Sequence, residues 1–275
     1  MPEGPEIRKA ADKVEKAIAH RPVKEVFFAF EHLKPYELEL AGCQVKAVET
    51  YGKAMLIRFH NQLNIYSHNQ LYGKWFVRRA YSYPETNRQL RLALHNEEKS
   101  ALLYSASDIE VLRDEQISEH PFIRRVGLDV LRPEATPAAV LARVQDKRFS
   151  RRQFKTLLLD QQFLAGIGNY LRSEILYVAR IHPAQRPIDC TPEQLKQFAK
   201  AAIALPHQSY RHSGITHDLD IAHQLKAAGH PRKDYRHWAF GRQGKACFHC
   251  GHKIVKESAG GRRYYYCSVC QPPNA

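Results

Sequence analysis

The spacing of hydrophobic positions changes twice along the chain. Between residues 6 and 19, Ile7, Ala11, Val14 and Ile18 recur at helical intervals, which predicts a helix with one buried stripe, and Pro5 suits its first turn. From Val23 to Leu112 the apolar runs become short. Glu25–Phe28, Val45–Val48, Met55–Phe59, Leu63–Tyr66, Trp75–Val77, Leu90–Leu94 and Leu102–Tyr104 read as strands separated by polar turns, a series that predicts a β-sandwich. After Pro121 the pattern turns helical. Thr136-Pro137 and Thr191-Pro192 are cap-plus-first-residue pairs, and Thr191-x-x-Gln194 has the spacing of a capping box. Phe154–Leu164 and Tyr170–Val178 read as helices on either side of Gly166-Ile167-Gly168-Asn169. Residues 206–237, rich in His, Gly and charge, read as a mobile connection to a small cysteine-bearing module.

Charge narrows the class of partner. The 275 residues carry a formal net charge of +14, an excess that stabilises no fold and calls for a polyanion, either nucleic acid or an anionic membrane. No apolar run approaches the roughly 18 residues of a membrane span, and Glu3, Glu6 and Asp12 stand where a signal peptide would be basic and then apolar. The expectation is a cytoplasmic, nucleic-acid-binding protein with no membrane partner. Six cysteines in such a chain are thiols or metal ligands rather than disulfides.

Four of them form the strongest local motif. Cys247-x-x-Cys250 and Cys267-x-x-Cys270, sixteen residues apart, have the spacing of two knuckles closing on one Zn²⁺. Four thiolates complete a tetrahedron and leave no position for water, so the metal is structural. Cys43 and Cys190 lack paired neighbours and read as ordinary buried thiols. His95-Asn96-Glu97 matches one element of a zinc deaminase, but Ala246 stands where that motif has proline and the fourth ligand position is filled.

The amino terminus carries the candidate chemistry. Removal of Met1 from Met1-Pro2-Glu3-Gly4-Pro5-Glu6 would expose a secondary amine beside one carboxylate and near another. An α-amino group titrates near pH ~8, so much of it can be neutral and nucleophilic without a desolvated lysine. A proline adduct at C1′ of deoxyribose is an iminium that acidifies the C2′ proton, which links base removal to strand cleavage. The plain alternative is a proline that follows the initiator and another that opens a helix.

Together the residues resemble the formamidopyrimidine-DNA glycosylase superfamily. The resemblance rests on Pro2-Glu3-Gly4-Pro5-Glu6-Ile7-Arg8, Tyr51-Gly52-Lys53-Ala54, Ser67-His68-Asn69-Gln70-Leu71-Tyr72-Gly73, Tyr104-Ser105-Ala106-Ser107-Asp108, the run from Leu159 to Tyr170 and the carboxy-terminal cysteines. It spans almost the whole chain and is weakest between Pro206 and Lys245. It implies an α+β multidomain fold: a β-sandwich domain with an N-terminal helix (1–125), a helical domain with a helix-two-turn-helix element and connecting segment (126–237), and a zinc-finger β-hairpin (238–272).

The resemblance also implies roles. Pro2 would attack C1′, Glu3 would protonate the ring oxygen, Glu6 would support proton transfers, and Lys53 would aid lesion processing and β-elimination. Gln70, Leu71 and Tyr72 would fill the gap left by an extruded nucleotide, the alternative being a polar turn flanked by core residues. Asn169 and Arg125, with Arg124 the neighbouring alternative, would contact DNA backbone. Arg262, with Arg263 the alternative, would grip a phosphate and assist the second elimination, while Tyr264, Tyr265 and Tyr266 would pack the hairpin. The implied activity is DNA glycosylase/AP lyase on damaged double-stranded DNA by a monomer without an obligatory protein partner. Gly4 and the contiguous wedge favour oxidised pyrimidines over oxidised purines. The competing class is a non-catalytic zinc-dependent DNA-binding protein.

Overall fold

The computed structural model describes residues 2–273, which divide into two compact units: residues 6–125 with Pro2, and residues from 126 onward with Glu3–Pro5. Met1 lies outside the described residues, and its removal is not addressed by them.

α1 (Gly4–Ile18), which belongs to the first unit from Glu6 onward, buries the predicted stripe of Ile7, Ala11, Val14 and Ile18. It is followed by β1 (Glu25–Phe28), α2 (Pro35–Leu40), β2 (Val45–Tyr51), β3 (Ala54–Phe59), β4 (Leu63–His68), β5 (Lys74–Arg79), β6 (Leu90–His95), β7 (Lys99–Tyr104), β8 (Asp108–Arg113) and α3 (Asp114–Ile117). The strands form two antiparallel four-stranded sheets, β1-β6-β7-β5 and β2-β3-β4-β8. Period-two alternation sends Phe28, Leu92, Leu94, Leu103 and Trp75 of one sheet and Val48, Ile57 and Ile65 of the other into a single core, which Val14 and Ile18 of α1 also enter. Every strand read from the sequence is present. The structure adds β8, whose Asp108-Ile109-Glu110-Val111-Leu112 alternation places Asp108 opposite His68 at the edge of β4.

The second unit contains β9 (Leu128–Asp129), α4 (Pro137–Gln145), α5 (Phe154–Leu157), β10 (Leu164–Ala165), α6 (Asn169–Val178), α7 (Pro192–Arg211), α8 (Leu219–Ala227), α9 (Arg232–Tyr235), β11 (Val255–Ala259) and β12 (Arg262–Tyr266). Thr136 caps α4 by accepting the Ala139 amide, and Thr191 and Gln194 form the reciprocal capping box of α7. Two expectations are corrected. The helix read over 154–164 lasts one turn: Asp160 accepts the Gln162 amide at 2.8 Å and binds Arg152 at 2.6 Å, and residues 164–165 then pair in parallel with 128–129. A short carboxylate side chain that satisfies its own backbone competes with helix continuation. The 206–237 stretch is not a bare connection, because α7 runs through Pro206 to Arg211, and α8, capped by the Asp218 carboxylate, and α9 follow. No helix among the described residues is long and apolar enough to cross a membrane.

Ile57 is wholly buried between its neighbours Val48 and Ile65. Ile57→Ala should destabilise the sandwich by about 2–5 kcal/mol. Thr191→Ala, which removes only a cap, should cost about 1 kcal/mol. Urea denaturation followed by circular dichroism checks both, and equal losses would contradict the assignment.

Candidate active site

Four orphan amides normally mark the start of a helix, and α6 meets this requirement unusually. Its N-cap is Gly168, which has no side chain to offer. The carboxylate of Glu3 takes that place: Oε2 accepts the amides of Gly168 at 2.7 Å and Leu171 at 3.3 Å, and Oε1 accepts that of Tyr170 at 2.8 Å. Glu3 is only 3% exposed, so these bonds and the positive end of the helix replace its hydration. A Cβ on Gly168 would lie 2.5 Å from the Glu3 carboxyl carbon. Beside it, the Gly4 amide donates to the Gly166 carbonyl at 2.8 Å, and a Cβ on Gly4 would come within 2.9 Å of the Gly166 Cα. Gly166 itself has φ +92, open mainly to glycine. Gln161 braces the loop by accepting the Gly166 amide and donating to the Ile167 carbonyl, both at 3.0 Å. Pro2, half-buried, immediately precedes Glu3.

Within the first unit, Glu6 lies in the first turn of α1, on a groove of about 200 Å³ shared with Lys9, Ala10, Lys13, Val14, Trp75 and Val77. Lys53 occupies the turn between β2 and β3 after Gly52 (φ +59), yet it is 7% exposed, unlike an ordinary turn lysine. Beside it is His68, whose pKa is pushed down by burial first and by Lys53 second. His68 Nδ1 accepts the Gln70 amide at 3.1 Å, so Nε2 carries the proton as a donor. His68 was not singled out from sequence, where one histidine inside a strand gives no signal of its own.

The turn between β4 and β5 leaves Leu71 51% and Tyr72 66% exposed, whereas a packed hairpin would bury such side chains. Gln70 has φ +48, the Gly73 amide closes the turn on the Asn69 carbonyl at 2.7 Å, and the Arg88 guanidinium donates to the Tyr72 carbonyl. Arg125, exposed in a short 3₁₀ turn, donates from Nε to the Pro121 carbonyl at 2.7 Å, while Arg124 stands 4.0 Å from Glu119. Asn169 is the first residue of α6 and is half-buried.

The cysteines converge as their spacing requires. The Sγ atoms of Cys247, Cys250, Cys267 and Cys270 all lie within 4.8 Å of one another, with Cys247 and Cys270 at 3.8 Å and Cys250 and Cys267 at 3.4 Å. Sulfurs each about 2.3 Å from one tetrahedral ion sit roughly 3.8 Å apart, so the set fits a metal ion. Cys43 and Cys190 lie apart from this cluster and are partly buried. His95 is unavailable as a ligand, since Ser100 Oγ at 2.7 Å and Tyr83 Oη at 3.2 Å occupy its two ring nitrogens.

Beyond the metal cluster, β11 and β12 pair through a Gly260-Gly261 turn. Tyr264, Tyr265 and Tyr266 are buried, with the hydroxyls of Tyr264 and Tyr266 donating to Glu257. Arg262 and Arg263 are both exposed, and their carbonyls accept from Arg172 Nη2 at 3.3 and 2.9 Å. Arg172, fully buried on α6, has its pKa lowered by that burial to about 10 and stays charged at neutral pH. Two residues on, the buried Glu174 accepts Thr216 Oγ1 and the amides of Trp238, Ala239 and Phe240. Burial raises its pKa and those donors oppose the rise. Sequence periodicity placed neither residue, because a lone charge in a helix reads as solvated.

Comparison with known proteins bears on this arrangement. Residues 1–107 match the formamidopyrimidine-DNA glycosylase N-terminal domain and residues 126–218 the formamidopyrimidine-DNA glycosylase H2TH domain. Endonuclease 8 of Escherichia coli (strain K12 / DH10B) is 46% identical over 271 residues, covering 98% of this chain and 100% of that protein, and Endonuclease 8 of Salmonella paratyphi B matches to the same extent. Lactococcus lactis Fpg (MutM), solved in complex with an oxidised-pyrimidine-containing DNA, superposes with a TM-score of 0.81 at 18% identity over 99% of this chain and 100% of that one, a likeness of fold. With a β-sandwich domain, an H2TH domain and a cysteine-bearing hairpin in one chain, the protein belongs to the formamidopyrimidine-DNA glycosylase family, whose members are DNA glycosylase/AP lyases of base excision repair.

Proposed function

We propose that this glycosylase/AP lyase prefers oxidised pyrimidines and uses Pro2, freed of Met1, as its nucleophile. The observation that carries the reading is the buried Glu3 carboxylate, held by three amides next to that proline. The Pro2 nitrogen attacks C1′, the C1′–N bond breaks, and the damaged base leaves with a proton drawn from water. The amine sheds its own proton on becoming an iminium. Glu3, bonded as a carboxylate, can take that proton and deliver it to the ring oxygen as the sugar opens. Loss of the C2′ proton then expels the 3′ phosphate by β-elimination, and δ-elimination expels the 5′ phosphate, leaving a one-nucleotide gap with phosphate at both ends. Glu6 and Lys53 are assigned to the proton transfers and the elimination, and the second elimination is assisted by Arg262.

The substrate is damaged duplex DNA, and the contiguous Gln70-Leu71-Tyr72 turn with Gly4 supports the pyrimidine preference. Leu71 and Tyr72 would replace lost stacking while Gln70 faces the orphaned base. Asn169, Arg125 and Arg262 are the backbone contacts we assign. The metal is one structural Zn²⁺ on Cys247, Cys250, Cys267 and Cys270, whose chemistry is to fix a hairpin too small to fold alone. We assign the catalytic, helical and zinc-bearing domains to residues 1–125, 126–237 and 238–272 of a cytoplasmic monomer.

Borohydride reduction during reaction tests the nucleophile. Duplexes bearing an oxidised thymine, an oxidised guanine or an abasic site should give a covalent protein–DNA complex, most readily with the oxidised thymine among the base lesions. Absence of any adduct would leave a binding protein only, and a preference for oxidised guanine would reverse the substrate assignment. Protein retaining Met1 should not trap, and Pro2→Gly should keep partial activity through its primary amine.

Gly168→Ala should displace the Glu3 carboxylate, and a misplacement of about 1 Å can cost roughly 100-fold in rate. Single-turnover excision should fall while DNA affinity by fluorescence anisotropy holds; an unchanged rate would remove Glu3 from the mechanism.

Arg262→Ala should reduce the slope of log K against log salt by about one unit. Chelation should release one equivalent of zinc and weaken DNA binding in the same assay, and metal-free protein that binds normally would refute the hairpin's role.

A further inference from the structure

The peptide bond between Ile167 and Gly168 is held at both of its polar ends. Its N–H donates to Glu3 Oε2 at 2.7 Å, and its carbonyl accepts from Gln161 Nε2 at 3.0 Å. A trans peptide is planar, with C=O and N–H pointing in opposite directions, so one rigid plate connects the Gln161 amide to the Glu3 carboxylate. Main-chain groups that act in one sense only settle which way that amide faces. Its Oε1 accepts the Gly166 N–H at 3.0 Å, and its Nε2 also donates to the Leu159 carbonyl at 3.2 Å. Turned end for end, it would set NH₂ against an N–H and its oxygen against two carbonyls. The root of the side chain is fixed as well, since the Gln161 carbonyl accepts the Gly127 amide at 2.8 Å just before β9.

We propose that Gln161 is a positioning residue for Glu3, setting through the Ile167–Gly168 peptide the direction of the N–H that holds the carboxylate. The inference deepens the reading that Glu3 moves a proton at the sugar, and rests on it. Glycine on either side of Ile167 leaves the loop freer to rotate than ordinary residues would, and Gly166 already holds φ +92. A carboxylate bound only to such a loop would take the plate with it as it shifted. Gln161 opposes that rotation from the far side, gripping the Gly166 N–H and the Ile167 carbonyl with one planar group. A hydrogen bond accepted at one end of a peptide also polarises it, which strengthens donation at the other end. Gln161 touches no reacting atom; it acts through the bond Glu3 accepts.

Gln161→Met keeps the length of the side chain and removes the amide. The test measures the single-turnover rate constant for excision of an oxidised thymine, with enzyme in saturating excess, for wild type, Gln161→Met and Glu3→Gln. The rate constant should fall about ten- to hundredfold in Gln161→Met while DNA affinity by fluorescence anisotropy holds. Partly unfolded protein lowers the amplitude of a single turnover rather than its rate constant, which separates positioning from lost stability. Gln161→Glu, assayed at alkaline pH so that its carboxylate can accept the Gly166 amide but donate to no carbonyl, should slow excision likewise and serves where the Met variant fails to fold. Gly168 is the only one of the fourteen glycines that follows isoleucine. Protein labelled with ¹³C-carbonyl isoleucine and ¹⁵N-glycine therefore gives one carbonyl–amide NMR correlation, from this peptide alone. Loss of the Gln161 amide should move both its carbonyl carbon and its amide proton upfield. An unchanged rate constant in the Gln161 variants, with Glu3→Gln inactive, would overturn the inference and leave the role of Glu3 standing. A lowered rate with the amide proton unmoved would overturn it too, since the effect would not pass through the Glu3 bond. Full activity in Glu3→Gln would remove the reading of Glu3 itself, and the assignment of Gln161 with it.

Discussion

A helix that begins on glycine has to find its cap elsewhere, and the placement of the amino-terminal segment follows from that need. Had Gly168 been Ser, Thr or Asp, α6 would have capped itself, and steric overlap would have driven Glu3 away. With no local acceptor, the open amides draw a carboxylate from 165 residues earlier in the chain. Charge-assisted bonds of this kind are each worth about 1.5–3 kcal/mol, which suffices to immobilise a short terminal segment that would otherwise fray. Gly4 against Gly166 lets two backbones approach where no side chain fits. A chain terminus is normally the least ordered part of a protein. Here the residue after Pro2 is among its most constrained.

The same helix serves the opposite end of the sequence. Arg172 holds two carbonyls of β12, the Ser173 hydroxyl accepts the Tyr265 amide at 3.1 Å, Glu174 gathers three amides leading into the cysteine module, and the Tyr177 hydroxyl lies 3.1 Å from Cys247 Sγ. Burying an arginine and a glutamate on one helix is costly unless each is saturated with partners. Both are anchored to main chain rather than to each other, so they fix backbone position in a way an apolar contact could not. The Nε of Arg172 is left without a partner, and the side chain's main-chain bonds run through the two terminal nitrogens, Nη1 to Lys155 and Nη2 to Arg262 and Arg263. A two-stranded hairpin is marginal by itself. Metal ligation at one end and α6 along its side supply what it lacks.

Legibility in the sequence followed the range of the interaction. Strands β1 to β7, the α1 stripe and the caps of α4 and α7 are set by neighbours a few residues away, and periodicity found them. The cluster of four cysteines was equally readable, because ligand spacing is a local code for a tetrahedron. The failures share a cause. The 154–164 run is apolar enough for a helix, but Asp160 and the pairing of β10 with β9 decide otherwise. Arg172, Glu174 and Lys53 look like solvated charges until distant segments close over them. His68 sits inside a motif whose signal comes from its other members. The family resemblance supplied candidate roles for Glu3 and Lys53, whereas the capping bond that holds Glu3 could be found only in three dimensions.

The turn carrying Gln70, Leu71 and Tyr72 illustrates the difference between exposure and disorder. Two large apolar side chains in water are a liability, and a hairpin optimised for stability alone would shorten or bury them. Instead the turn adopts a left-handed glutamine, a conformation uncommon for non-glycine residues, and secures it from three directions: the His68 ring, the Ser107 hydroxyl and the Arg88 guanidinium. Polar contacts are spent on the backbone and on one amide, and the apolar side chains are left without core partners. That division holds the turn's backbone in place while leaving its two large side chains exposed, as the proposed gap-filling role would require. A flexible loop would have to be ordered whenever it engaged a partner, at an entropic cost of about 1–2 kcal/mol per residue. Ordering the turn beforehand would remove that cost from the insertion step proposed for it.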